Sequence, residues 1–166
     1  EAGADANSVS EEGEPVLMTA ALTGKTPAMR ALLRRGAKVN VAEPFRGQTA
    51  LMWAAAEGNV QAVEALLKAG ADFKTRDRFG FSPLLFAARE GKTNVLPVLV
   101  KAGEDPKEEV QPRFRQRSHK IAQSNRGIAG ITPPGTSAVS LATANAHYET
   151  ATKLLELGAD PNAERN

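Results

Sequence analysis

The chain has 166 residues, 42% of them hydrophobic and 24% charged, which suits one modest globular domain or one short repeat array. It has no cysteine and only two histidines, His119 and His147, which excludes disulfides, thiolate metal sites and a multi-histidine centre. The net charge is +2, and no apolar run approaches the roughly 18 residues of a membrane-spanning helix.

Charge is unevenly spread. Residues 1–14 carry Glu1, Asp5, Glu11, Glu12 and Glu14 without a cation, whereas residues 107–126 carry Lys107, Arg113, Arg115, Arg117, Lys120 and Arg126 against Glu108 and Glu109. The chain opens on Glu1 with no signal-peptide pattern. It therefore reads as a piece of a longer protein, and both cytoplasmic and exported locations stay open.

In chain order, the first feature is the tail Gly3-Ala4-Asp5-Ala6-Asn7, which recurs at Gly36, Gly70, Gly103 and Gly158, at spacings of 33, 34, 33 and 55. A second marker, Gly13, Gly47, Gly80 and Gly135, is spaced 34, 33 and 55. Agreement between two markers fixes a period near 33, with one junction lengthened by 22 residues. After a trailing tail at 1–9, the unit 10–42 predicts a short helix over Leu17-Met18-Thr19-Ala20-Ala21 and a break at Gly24. A second helix then opens at Thr26-Pro27, a capping hydroxyl with proline at the first helical position.

The unit 43–76 repeats this with Leu51-Met52-Trp53-Ala54-Ala55, Gly58, and a helix whose Val60, Val63, Leu66 and Leu67 share one face. The unit 77–107 has Leu84-Leu85-Phe86-Ala87-Ala88 and Gly91, but places Pro97 in its second helix. An interior proline costs about 3 kcal/mol, less if Thr93 or Asn94 caps the helix and Pro97 falls in its first turn. A basic insertion spans 108–131, with a short helical piece between Pro112 and Ser124 and a Gly/Pro-rich end. The unit 132–166 follows, with Val139-Ser140-Leu141-Ala142-Thr143. The alanines let neighbouring backbones approach closely, and the closing glycines suit left-handed helix caps.

Units of about 33 residues with a turn, two antiparallel helices and a Gly-Ala-Asp-x-Asn close resemble ankyrin repeats. Thr49 to Asp72 carries the resemblance most clearly, in a style similar to bacterial ankyrin proteins. It implies an all-α ankyrin-repeat solenoid of helix-turn-helix units with projecting fingers. It also implies a non-catalytic scaffold that binds a protein or peptide on its concave face. The family's Thr-Pro-Leu-His run is here Pro15-Val16-Leu17-Met18, Thr49-Ala50-Leu51-Met52, Ser82-Pro83-Leu84-Leu85 and Ser137-Ala138-Val139-Ser140. The histidine is missing throughout, and apolar packing by Met18, Met52 and Leu85 is expected in its place.

By resemblance, contacts flank each turn glycine and close each first helix. These positions include Phe45, Arg46, Arg76, Arg78, Phe79, Phe81, Arg89 and Glu90. Aromatics beside arginines are typical binding hot spots, and arginine recognises carboxylates in bidentate fashion. The expected partner is therefore a protein with an acidic, partly apolar surface. In the competing reading Phe79 and Phe81 tuck against neighbouring turns and the arginines are solvated. Trp53 occupies the place of Thr19, Phe86 and Leu141 and is expected to pack in the seam.

The insertion's Arg113, Phe114, Arg115, Arg117, Lys120 and Arg126 allow three readings: a solvated excursion, a finger gripping an acidic protein, or phosphate contact with nucleic acid. The near-neutral chain and the lack of a nucleic-acid motif argue against the last. No phosphate loop, HExxH pair or Gly-x-Ser-x-Gly elbow occurs, so no catalytic activity or cofactor is expected. An enzyme would need a catalytic domain elsewhere, with the array as its targeting arm. His147 is expected to be structural, and Asp5, Asn7, Asp72, Asp160 and Asn162 to form turns rather than hold calcium. Uncapped end units could contact neighbouring chains.

Overall fold

The structure, a computed structural model, describes residues 5–111 and 132–162. Among them are eight α-helices in four antiparallel pairs: α1 (Val16–Leu22) with α2 (Thr26–Arg34), α3 (Ala50–Ala56) with α4 (Val60–Lys68), α5 (Pro83–Arg89) with α6 (Leu96–Ala102), and α7 (Ala138–Ala144) with α8 (Tyr148–Glu156). The first helices stack in one row, α1 on α3, α3 on α5 and α5 on α7; the second helices form another, α2 on α4 and α4 on α6, with α8 meeting the 3-10 turn Thr93–Val95. The result is the expected all-α solenoid.

Small residues permit the first row. Ala21, Ala54, Ala55, Ala87, Ala88 and Ala142 are all fully buried, and Leu17, Leu51, Leu84 and Leu141 are buried in the same core. Second helices bury one stripe each, as with Ala62, Val63 and Leu66 in α4, because apolar residues three and four apart share a face. A helix of seven or nine residues is too short to persist alone in water. Stacking is what holds these helices.

Where the first helices begin, Thr49, Ser82 and Ser137 each accept the N–H of the residue three along (Met52, Leu85, Ser140). Met52 does more than pack, since its Sδ accepts the Thr49 N–H at 3.4 Å. Met18, Met52 and Leu85 are fully buried, as expected where the histidine is missing. In α2 the sequence reading needs correction. Thr26 is the first helical residue rather than the cap, and no side chain caps that end.

Pro97 lies in the first turn of α6, where its missing N–H has no helical acceptor to lose. Neither Thr93 nor Asn94 caps it. Thr93 instead meets the Thr150 hydroxyl at 2.7 Å, and Asn94 Nδ2 donates to the Gly58 carbonyl at 2.9 Å. Both side chains brace neighbouring units. Ala146 adopts φ 62° where the other units use Gly24, Gly58 and Gly91. There L side chains are strained, and the adjoining His147 ring packs on Gly91, where a Cβ would lie 2.5 Å from Nδ1.

Candidate functional site

Ahead of each first helix the chain makes a finger that doubles back on itself. Finger 1 spans 9–15, finger 2 spans 42–49, finger 3 spans 76–82, and finger 4 begins at 109 and returns by 137. Each closes by a backbone bond across its base: Ser10 N–H to Glu14 O, Glu43 N–H to Gln48 O, Asp77 N–H to Phe81 O, and Val110 N–H to Thr136 O. In three of them the second residue also organises the tip with its side chain. Ser10 Oγ accepts the N–H groups of Glu12 and Glu14 at 3.2 and 3.3 Å. Asp77 Oδ1 accepts those of Phe79 and Phe81 at 2.9 and 2.8 Å.

Glu43 accepts three, from Phe45, Arg46 and Gln48, at 2.7 to 2.9 Å. Burial pushes the Glu43 carboxyl up, but the backbone N–H groups of Gln48, Phe45, Arg46 and Gly47 outweigh it and hold the carboxyl below its ordinary value. At Asp77 burial prevails over the Phe81 and Phe79 N–H groups, the Gln48 side chain and Arg89, so its carboxyl sits above the ordinary value. The fourth finger has apolar Val110 in this place, fully buried.

Finger 2 is one residue longer than finger 3, with Pro44, Phe45 and Arg46 between its carboxylate and Gly47. This is the source of the 34-residue interval between Gly13 and Gly47. Fingers 2 and 3 are joined. The Arg78 N–H donates to Arg46 O at 2.8 Å, and Arg78 Nη2 donates to Pro44 O at 2.6 Å. Gln48 carries the connection inward, accepting Trp53 Nε1–H at 2.8 Å while its side chain faces the Asp77 carboxyl. Trp53 is half-buried against the core, in the seam role expected of it.

The eight groove residues separate into two groups. Phe45 and Phe79 project from the two tips, 66% and 59% exposed, and Arg46 and Arg78 are exposed beside them. Phe81 requires correction. It is only 4% exposed and packs on Phe86 with ring centroids 5.4 Å apart, because it follows the turn glycine and points back into the stack. Arg89 lies over the Phe81 and Phe86 rings at 5.0 and 4.7 Å, and its Nε donates to Glu90 at 2.8 Å.

Arg76 is also withdrawn from the free set. It pairs with Glu108, and its Nη1 donates to the Gly80 and Glu109 carbonyls at 2.9 and 3.0 Å. The insertion residues Arg113, Phe114, Arg115, Arg117, Lys120 and Arg126, and the helical piece expected at Pro112 to Ser124, lie outside the described residues.

A role that sequence reasoning missed belongs to the asparagines ending the Gly-Ala-Asp-x-Asn runs. Asn7 donates to Gly36 O and accepts the Lys38 N–H, while Asn40 donates to Gly70 O and accepts the Asp72 N–H. They join consecutive units, and their 33-residue recurrence was the available signal. The aspartates close local turns as expected, with Asp5, Asp72, Asp105 and Asp160 each accepting the N–H two residues along.

Among the described residues no group of three or more His, Cys, Asp or Glu side chains is placed to hold a metal ion, and no helix is long and apolar enough to cross a membrane. No curated protein matches the chain. A family model described as ankyrin repeats (3 copies) matches residues 2–77 and 51–165. With its paired helices, periodic fingers and that match over most of its length, the chain belongs to the ankyrin-repeat family.

Proposed function

We propose that this chain holds a protein partner across fingers 2 and 3, with Phe45 and Phe79 as apolar anchors and Arg46 and Arg78 as carboxylate receptors. Ankyrin repeats are generally protein–protein interaction modules, and what this chain adds is the identity of the exposed side chains. The observation that carries the reading is the two exposed phenylalanines on adjacent fingers that are hydrogen-bonded to each other. A rigid pair of aromatics loses little conformational freedom on binding, which is where interfaces gain affinity.

The charge pattern gives the partner a direction. Finger 1 exposes Glu11 and Glu12, whereas fingers 2 and 3 expose Arg46 and Arg78. An acidic, partly apolar segment fits over the latter pair and is repelled by finger 1. Phe81 supports the platform from beneath, and the Arg76 guanidinium is engaged by Glu108 and two carbonyls.

The test compares capture of the native partner by the wild-type chain and by Phe45→Ala/Phe79→Ala, with circular dichroism verifying the fold. Capture should fall at least tenfold, as for truncation of hot-spot aromatics worth ~2 kcal/mol or more. Undiminished capture by the folded double variant removes the site.

A further inference from the structure

Among the described residues, Glu104 is set apart by its burial and its pairing. It occupies the place that Ala37, Ala71 and Ala159 hold in the other units, directly after the closing glycine. Like two of those alanines it is buried, at 6% exposure. Its Oε2 accepts the Leu84 N–H at 2.9 Å at the start of α5, and its Oε1 is buried without a partner.

Around it is a closed cluster. Ser82 lies beside Glu104 and donates its hydroxyl to Glu108 Oε2. Glu108 Oε1 pairs with Arg76, which in turn donates to Gly80 O in finger 3 and Glu109 O in finger 4. Glu108 and Arg76 are the charged groups facing Glu104, and Asp105 adds a further negative charge beside Glu108.

One arginine thus serves one buried and one partly buried carboxyl, and one serine hydroxyl proton lies between the two. If both carboxyls are ionised, Glu104 keeps a buried charged oxygen without a donor, which a dry interior strongly disfavours. A proton on Glu104 removes the conflict. Glu104 then donates to Ser82, Ser82 donates to Glu108, and Glu108 accepts from Arg76, so every donor in the chain has an acceptor.

We infer that Glu104, Ser82, Glu108 and Arg76 form a proton-held clamp that seats the root of finger 4 on finger 3 and loosens when Glu104 ionises. The root is where the chain leaves for residues 112–131. It is held by Val110 N–H to Thr136 O, Gly135 N–H to Val110 O, Ala138 N–H to Glu108 O and the Gln111 N–H to Gly80 O. Burial, followed by the Glu108 charge, raises the Glu104 carboxyl from the ordinary 4.5 to about 8.

The sign follows from proton binding. The closed clamp holds a proton that an open, solvated Glu104 has already released above its ordinary value. Closure is therefore fully favoured below 4.5 and is progressively lost as pH rises toward 8. Opening should increase about tenfold per pH unit in that window and level off above it.

Two measurements on the full chain decide. Carboxyl carbon NMR, with Glu104→Gln assigning the signal, should show Glu104 titrating far above the ordinary glutamate range; a midpoint near 4.5 overturns the clamp. Amide exchange at Val110 and Ala138, corrected for base catalysis and referenced to Phe45 and Arg46 in finger 2, should rise with pH in the wild type and stay flat in Glu104→Gln. Parallel pH profiles in the two proteins also overturn it. Should Glu104→Gln fail to fold, Glu104→Ala, the residue that the other units use, takes its place in both measurements.

Discussion

Finger 2 and the junction of fingers 3 and 4 both bury a glutamate, and they treat it oppositely. Glu43 meets three backbone N–H groups and its carboxyl is held below the ordinary value. Glu104 meets one, faces Glu108, and is raised to about 8. Burial alone therefore does not fix the protonation state. Depth of burial, neighbouring charge and the donors aimed at the oxygens decide it together. A second contrast follows from the first. Around finger 2 the carboxylate is satisfied by backbone, which leaves Arg46 and Arg78 at the surface, whereas at the junction Arg76 is consumed internally by Glu108.

The largest effect should come from Phe81. Phe81→Ala removes a core ring packed at a tilt on Phe86 and covered by Arg89 and should cost about 3–5 kcal/mol in chemical denaturation. Phe79→Ala, two residues away, should change stability by less than about 0.5 kcal/mol. Equal losses would break the division between supporting and exposed aromatics.

That division marks the limit of what the sequence could reveal. The fold was legible because its signals are local. Closing and turn glycines recur with the period, and Gly13, Gly36, Gly47, Gly58, Gly70, Gly80, Gly91, Gly103, Gly135 and Gly158 all take positive φ. The candidate site was only half legible. Exposure of Phe45 and burial of Phe81 depend on where each stands relative to its turn glycine. Loss of Arg76 depends on pairing with Glu108, 32 residues away. The change from Gly-Ala-Asp to Gly-Glu-Asp at Glu104 was visible as text, but its meaning needed the buried position that alanine fills elsewhere.

Next in size is Glu43→Ala, which deprives three N–H groups of a charged acceptor and should cost about 2–3 kcal/mol. Its pH dependence sharpens the comparison. Because the Glu43 carboxyl is lowered, its contribution is present above 4.5 and is lost as pH falls through the folded value. Glu104 acts the other way, its contribution declining as pH rises from 4.5 to about 8. Thermal melts of Glu43→Ala should thus converge with the wild type in acid, and those of Glu104→Gln should diverge from it toward neutral pH. Identical pH profiles for the two variants would erase the contrast.

A smaller cost, about 1 kcal/mol, is expected for Asn40→Ala. The side chain makes two bonds to the next unit, to Gly70 O and from the Asp72 N–H, but both lie at the exposed edge, where water replaces much of what is lost. At the next two seams Lys74 and Lys107 stand in place of the asparagine, and Phe73 and Pro106 pack toward Gly103 and Gly158. Denaturant midpoints should show the polar bridge as a modest brace.

The smallest effect on stability is expected for Arg78→Ala. Its Nη2 bond to Pro44 O is exposed, while the Arg78 N–H bond to Arg46 O belongs to the backbone and survives the substitution. The fingers should stay joined, with a change of less than about 0.5 kcal/mol in unfolding free energy. If fingers 2 and 3 separate in Arg78→Ala, seen as accelerated exchange of the residue 78 amide, then the guanidinium rather than the backbone holds the platform together. Unchanged exchange with weakened partner capture would assign the guanidinium to recognition, because a side chain that contributes little to folding still presents donors where a carboxylate can meet them.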